Sequence, residues 1–261
     1  MHDEYFVHPR SIVRKIWGNG DNILFIFGGS AAEFALNKAV DWLYFTGLLP
    51  QDPLGRLFST VKYARQIVFS DRSDAMRAID TISSIHENVE SRRGEQIPEW
   101  AYRDVLFMLI DYSIRSFELL ERKMNAGEKA EVFDVFIRVG KRMNIKDLPS
   151  NIADWEKMRQ HHLEHHLQRT DYTDDLYQRY RQHLGDFRYW ILLEVQNGLV
   201  PQTVREHLGF GRKSFLKPGI RLYQLANRIG IGRPLKTLLL PTQYKQEILD
   251  LDQVSDSNTP S

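Results

Sequence analysis

The stretch RQHHLEHHLQR, residues 159–169, sets four histidines within six positions of a chain that has no cysteine. Imidazoles four residues apart on a helix lie one turn above one another, so His161 with His165, and His162 with His166, can each offer two nitrogens to a zinc or iron ion. Advancing about 100° per residue from the apolar stripe Ile152, Trp155, Met158, Leu163 and Leu167 turns His162 and His166 toward the interior and His161 and His165 toward water. One straight helix cannot close all four on a single ion, and a third ligand must come from elsewhere. The order HHLEHH also lacks the His-Glu-x-x-His spacing of a metalloprotease. Three readings stand: a polar helix face rich in imidazole; a metal centre built on the His161–His166 cluster, with His162 and His166 its inner pair; or His162 and His166 reaching into one pocket with His86.

A second constellation lies earlier. After Asp52, residues Leu54, Leu57, Val61, Ala64 and Val68 form an apolar stripe at helical spacing, and Arg56, Thr60, Tyr63 and Ile67 form a second stripe roughly opposite. That second face is either solvated or the wall of a cavity. On the following helix His86 stands in register with Ala75, Ile79, Ile82 and Val89. Such a histidine is either a core residue bonded to a carbonyl or a metal ligand.

The elements that must hold these residues read as helices. Asp52 before Pro53 is an N-cap with proline in the first turn; Pro98 and Pro218 mark similar starts, and Ser73, Ser150 and Thr173 are further caps. The pattern predicts helices near 10–17, 22–46 with a break at Gly28–Gly29, 53–69, 74–91, 98–123, 128–143, 151–169 and 174–196. Shorter ones follow 200, 218 and 234, and period-two alternation is almost absent. The fold class is therefore all-α: one multi-helix domain over residues 1–250, with short C-terminal helices and a disordered polar tail at 251–261.

Composition narrows function further. Lys plus Arg (35) and Asp plus Glu (34) nearly cancel, so no global field draws the chain to nucleic acid or an anionic membrane. Without cysteine there are no disulfides, thiolate metal sites or thiol nucleophiles, which suits a reducing, cytoplasmic setting. The N-terminal MHDEYFVHPRS lacks the basic-then-apolar pattern of a signal peptide. In the most apolar region, Glu33, Lys38 and Asp41 interrupt the ~20 uncharged residues a transmembrane span needs, so it reads as a buried helical pair. No Gly-x-Ser-x-Gly elbow and no Walker-type glycine loop supports acyl or phosphoryl transfer.

The run DPLGRLFSTVKYARQIVFSDRSDAMRAIDTISSIHENV resembles the pattern Asp-Pro-x-Gly-Arg-x-x-x-Thr-x-x-Tyr, followed some two dozen residues later by His-x-x-Val. That pattern belongs to the catalytic-domain family of the latex-clearing rubber oxygenases and the fungal MpaB oxygenases. The likeness begins near GGSAAEFALNKAV, continues through DLPSNIADWEKM and returns more weakly in RPLKTLLLPTQYKQEIL. It implies an all-α fold around haem b, with His86 as axial ligand of the haem iron. Arg56 and Thr60 would be the catalytic polar residues beside it, and Arg56 would also help bind the haem. Chemically, a neutral imidazole on an apolar face can ligate iron, and a guanidinium one helix away can pair with a propionate or stabilise charge developing on dioxygen. The activity implied is oxidative cleavage of an isoprenoid double bond, with a small apolar substrate and dioxygen as partners.

The chain departs from the family at three places. Leu36-Asn37-Lys38 stands where many members have Ala-His-Pro, Glu90 stands four residues after His86 where arginine is common, and Ile110 replaces a further histidine. Two other functions remain beside the oxygenase: a non-catalytic helical protein binding a lipid or isoprenoid, and a non-haem metal enzyme using the His161–His166 cluster.

Overall fold

The computed structural model describes residues 4–45 and 52–211, with 214, 216, 218–220, 222 and 223 beyond them. The side chains of Arg56 and of residues 43, 53, 54, 57 and 58 lie outside the described residues, as do the helix expected after 234, the boundary at 250 and the tail at 251–261. Among the described residues there are ten helices and no strand. They are α1 (Ile12–Trp17), α2 (Gly20–Phe34), α3 (Asp41–Phe45), α4 (Pro53–Phe69) and α5 (Arg72–Arg93). Then come α6 (Glu99–Leu120), α7 (Ala126–Arg142), α8 (Ile152–His165), α9 (Asp171–Leu199) and α10 (Gln202–His207). They form a single all-α domain.

Helix α2 is the axis of the bundle, packed along α6 and flanked by α9, while α4 pairs with α5 and α6 with α7. The main core gathers Trp17, Ile26, Phe107, Ile110 and Phe117, each no more than 1% exposed. Apolar burial on this scale stabilises by roughly 1.5–3 kcal/mol per large side chain.

Local rules explain most boundaries. Asp52 Oδ1 accepts from the Gly55 amide at 2.9 Å with Pro53 at the first position, as expected. Three other caps fall near their expected residues. Asp71 replaces Ser73, Asn151 replaces Ser150, and Thr170 replaces Thr173, whose hydroxyl accepts from the Thr170 amide at 3.0 Å and donates to the Ala35 carbonyl at 2.7 Å. Each true cap lies within three residues of the expected one; the Asp71 and Asn151 side chains accept from the amides of Asp74 and Asp154, whereas at Thr170 only the return bond to Thr173 is made.

The expected break at Gly28–Gly29 does not occur; α2 runs straight through and ends at Phe34. Those glycines serve packing instead: a Cβ on Gly29 would lie 2.4 Å from the Tyr112 ring of α6 and 2.9 Å from Leu199 of α9. The interruption falls at residues 35–40, where Asn37 Oδ1 takes the Ala39 amide at 2.8 Å. There the chain pairs with the end of α8, through Gln168 N–H to Leu36 O (2.7 Å) and Lys38 N–H to His166 O (3.0 Å). Helix α9 runs on past the expected limit to Leu199, kinked at Gly185, whose φ of 73° favours glycine.

Candidate functional site: an apolar cavity and a buried ion network

A cavity of about 840 Å³ opens between α2, α4, α5, α6 and α9. Its size suits a drug-sized ligand or cofactor, within the ~300–1,000 Å³ such sites occupy. Helix α4 contributes Thr60, Tyr63 and Ile67 of its second stripe together with Ala64 and Val68 of its first, so the cavity wall draws on both. Helix α5 contributes Ile82, Ile85, His86 and Val89, so His86 belongs to that wall with its apolar neighbours. The structure thus brings His86 and Thr60 to one hollow.

His86 is half-buried, and its ring meets Tyr102 of α6 edge-on, with centroids 5.2 Å apart and planes at 73°. The Tyr102 hydroxyl donates to Glu90 Oε1 at 3.1 Å, an oxygen that also accepts from the Ile97 amide at 2.8 Å. Burial, together with the Glu90 charge, pushes the Tyr102 phenol above its ordinary range, so it stays protonated. Glu90, which departs from the family pattern, therefore anchors the aromatic ring beside His86. Asn37, the second departure, is 4% exposed and also lines the cavity. Ile110, the third, is fully buried in the main core and does not line it.

A half-buried imidazole on the wall of a mostly aliphatic and aromatic hollow has the chemistry to hold haem iron, and the volume admits a cofactor. The residues fit the group.

His162 and His166 do not line this cavity. They belong to a network behind it, whose carboxylates arrive from helices far away in sequence. Glu33 of α2, fully buried, receives both terminal nitrogens of Arg159: Nη1 reaches Oε1, and Nη2 lies 2.7 Å from Oε2. It also receives the Tyr112 hydroxyl at 3.0 Å and His162 Nε2 at 2.9 Å. Arg159 donates again to Asp111 Oδ2, from Nε at 3.1 Å and Nη2 at 2.9 Å, while Arg115 takes the other Asp111 oxygen at 2.6 Å. On the far side of His162, Asp104 Oδ2 lies 2.7 Å from Nδ1, and 2.6 Å from Nδ1 of His166.

The charges tune one another. Burial alone would raise the Glu33 carboxyl, but Arg159 and His162 outweigh it and hold it at about 2. For His162 burial would lower the imidazole, yet Asp104 and Glu33 on its two sides raise it. His166 goes the other way, lowered by burial despite Asp104. His161 and His165 stay outside, stacked on each other with centroids 4.2 Å apart.

Helical spacing alone turns the two inner histidines toward the interior, where the structure finds them. It did not reveal their partners, because Glu33, Asp104 and Asp111 sit on other helices. A usable signal existed: Glu33 is the one charged residue in the largely apolar run from Ile23 to Phe34, and Asp104 and Asp111 lie seven apart on one face of α6.

A helical domain whose walls enclose an apolar hollow with one histidine on its rim defines a class of cofactor- or lipid-holding proteins. The family model described as ER-bound oxygenase mpaB/B'/Rubber oxygenase, catalytic domain, matches residues 17–227, and the chain belongs to that family. No curated protein and no solved structure matched it. Family membership carries an oxygenase-type oxidoreductase function at the general level. No described helix is long and apolar enough to cross a membrane.

Proposed function

We propose that the protein is a haem-dependent oxygenase acting with dioxygen on a small apolar, isoprenoid-like substrate, with His86 as axial ligand and Thr60 and Arg56 as the polar residues beside the haem. The observation that carries this reading is His86 on the wall of the apolar cavity, facing the same space as Thr60. Haem b, when bound, would supply the redox-active iron at which dioxygen is activated. The chain's own residues do the rest. Tyr102, fixed by Glu90, limits the rotation of the His86 ring. The aliphatic and aromatic walls desolvate an alkene and exclude water. Thr60 adds a hydroxyl, and Arg56 precedes it by one helical turn. Cleaving a carbon–carbon double bond with one dioxygen into two carbonyls balances without a reductant, so no reductant site is demanded. The same reading goes with a cytoplasmic, reducing setting, in keeping with a cysteine-free chain.

Titration of haemin into purified protein tests it. The expected result is a saturable Soret band at one equivalent, with a changed ligand-field signature or lost binding in His86→Ala. Native mass spectrometry of the purified protein separates the competing reading: a co-purifying lipid with no haem uptake would favour a non-catalytic lipid carrier.

A further inference from the structure

Asp104 does not line the cavity, although Tyr102 and Val105 close by on α6 do. Its Oδ2 lies 2.7 Å from Nδ1 of His162 and 2.6 Å from Nδ1 of His166, and the three residues offer ligand atoms within 4.8 Å of one another. We propose that these three atoms form a binding site for one divalent transition-metal ion of the zinc class, separate from the cavity and independent of the haem reading.

Proton bookkeeping at His162 motivates the assignment. Its Nε2 points at Glu33 Oε1, 2.9 Å away, a carboxylate oxygen that can only accept, so Nε2 carries the hydrogen. A neutral ring then presents a lone pair at Nδ1, and an Asp104 carboxylate oxygen lies 2.7 Å from that nitrogen. Something positive must stand between them, a proton or a metal ion. No hydrogen bond is made at Nδ1, which is left unsatisfied in a side chain that is 1% exposed. A second imidazole nitrogen, from His166, converges on the same oxygen at 2.6 Å.

The surroundings match what a metal-ligating histidine needs. Its outer nitrogen is held by a carboxylate, which fixes tautomer and ring orientation, and that carboxylate is itself fixed by Arg159 and Tyr112. Two imidazoles and one carboxylate suit zinc, cobalt, nickel or iron(II) better than magnesium or calcium, which prefer all-oxygen sets. His166, with its side chain 21% exposed, leaves an entry path and an open position for water. Around an ion with ~2.0–2.1 Å bonds, tetrahedral ligand atoms stand about 3.3 Å apart. Loading therefore asks Asp104 Oδ2 to part from each imidazole nitrogen by about 0.6–0.7 Å, which a small rotation of the Asp104 carboxylate and of the partly exposed His166 ring supplies.

The experiment is a Co²⁺ titration of chelator-treated full-length protein, followed by optical absorption, with Zn²⁺ competition and elemental analysis. One equivalent of Co²⁺ with visible ligand-field bands, displaced by Zn²⁺, is expected. His166→Ala and the isosteric Asp104→Asn should each weaken uptake at least tenfold, and if the alanine variant fails to fold the asparagine variant decides. The double variant His161→Ala/His165→Ala should bind as the parent does. His86→Ala should also keep Co²⁺ uptake, whatever it does to haem, so failure of one site is told apart from failure of the other. Absence of saturable uptake overturns the proposal. So does uptake that survives Asp104→Asn and disappears with the outer pair, which would place the ion on the surface.

Discussion

Arg159 carries a guanidinium into a region where its side chain is 5% exposed, and Glu33 and Asp111 meet it there. Burial of a charge is tolerable only when it is paired and hydrogen-bonded, and removing one member leaves the others stranded. Arg159→Met should therefore cost about 3–5 kcal/mol, read as a fall in the urea midpoint with unchanged slope. Pairing it with Glu33→Gln should recover part of that loss, because the neutral amide no longer needs the guanidinium. A strictly additive double variant would mean that the two side chains do not share an interaction.

At the scale of the helix, adjacent glycines of α2 make opposite demands. A Cβ on Gly28 would meet Val195 at 3.4 Å, an ordinary contact, whereas on Gly29 it would run into the Tyr112 ring. Gly28→Ala should stabilise by ~0.5–1 kcal/mol through reduced unfolded-state entropy. Gly29→Ala should destabilise by ~1–3 kcal/mol through overpacking, so thermal melts of the two should move in opposite directions. This pair also marks the limit of sequence reading. Helical spacing made α2, α4, α5 and α6 legible, and it put His86 and the Thr60–Tyr63 stripe on definable faces. It treated Gly28–Gly29 as a break because local propensity cannot know that a tyrosine ring from 83 positions away will press on the backbone. For the same reason His162 was legible as inward-facing, while its company of Glu33 and Asp104 was not. Spacing encodes direction within one helix; partners across helices are set by tertiary packing.

For the whole molecule, the ion network ties α2, α6 and α8 together at the depth of the core, so its protonation must couple to global stability. Glu33 titrates at about 2 in the folded protein against an ordinary value of 4.5. A depressed carboxyl contributes stability that is fully present above its unfolded value and is lost as pH falls from there toward the folded one. The shift corresponds to an order of 3 kcal/mol, forfeited between pH 4.5 and 2. His162 works in the opposite sense: its raised imidazole contributes fully below its ordinary value of 6.5 and loses that contribution as pH rises through the folded value. Groups facing the pair from the neighbouring helices are Arg159, Tyr112, Asp104, Asp111 and His166. In metal-free protein, urea midpoints measured against pH should hold steady between the two ordinary values, drop steeply on the acid side and decline more gently on the alkaline side. Glu33→Gln removes the group that titrates at the acid edge, so its acid limb should flatten even though its plateau is lower. An acid limb of unchanged steepness in that variant would assign acid unfolding to the surface carboxylates instead of the buried network.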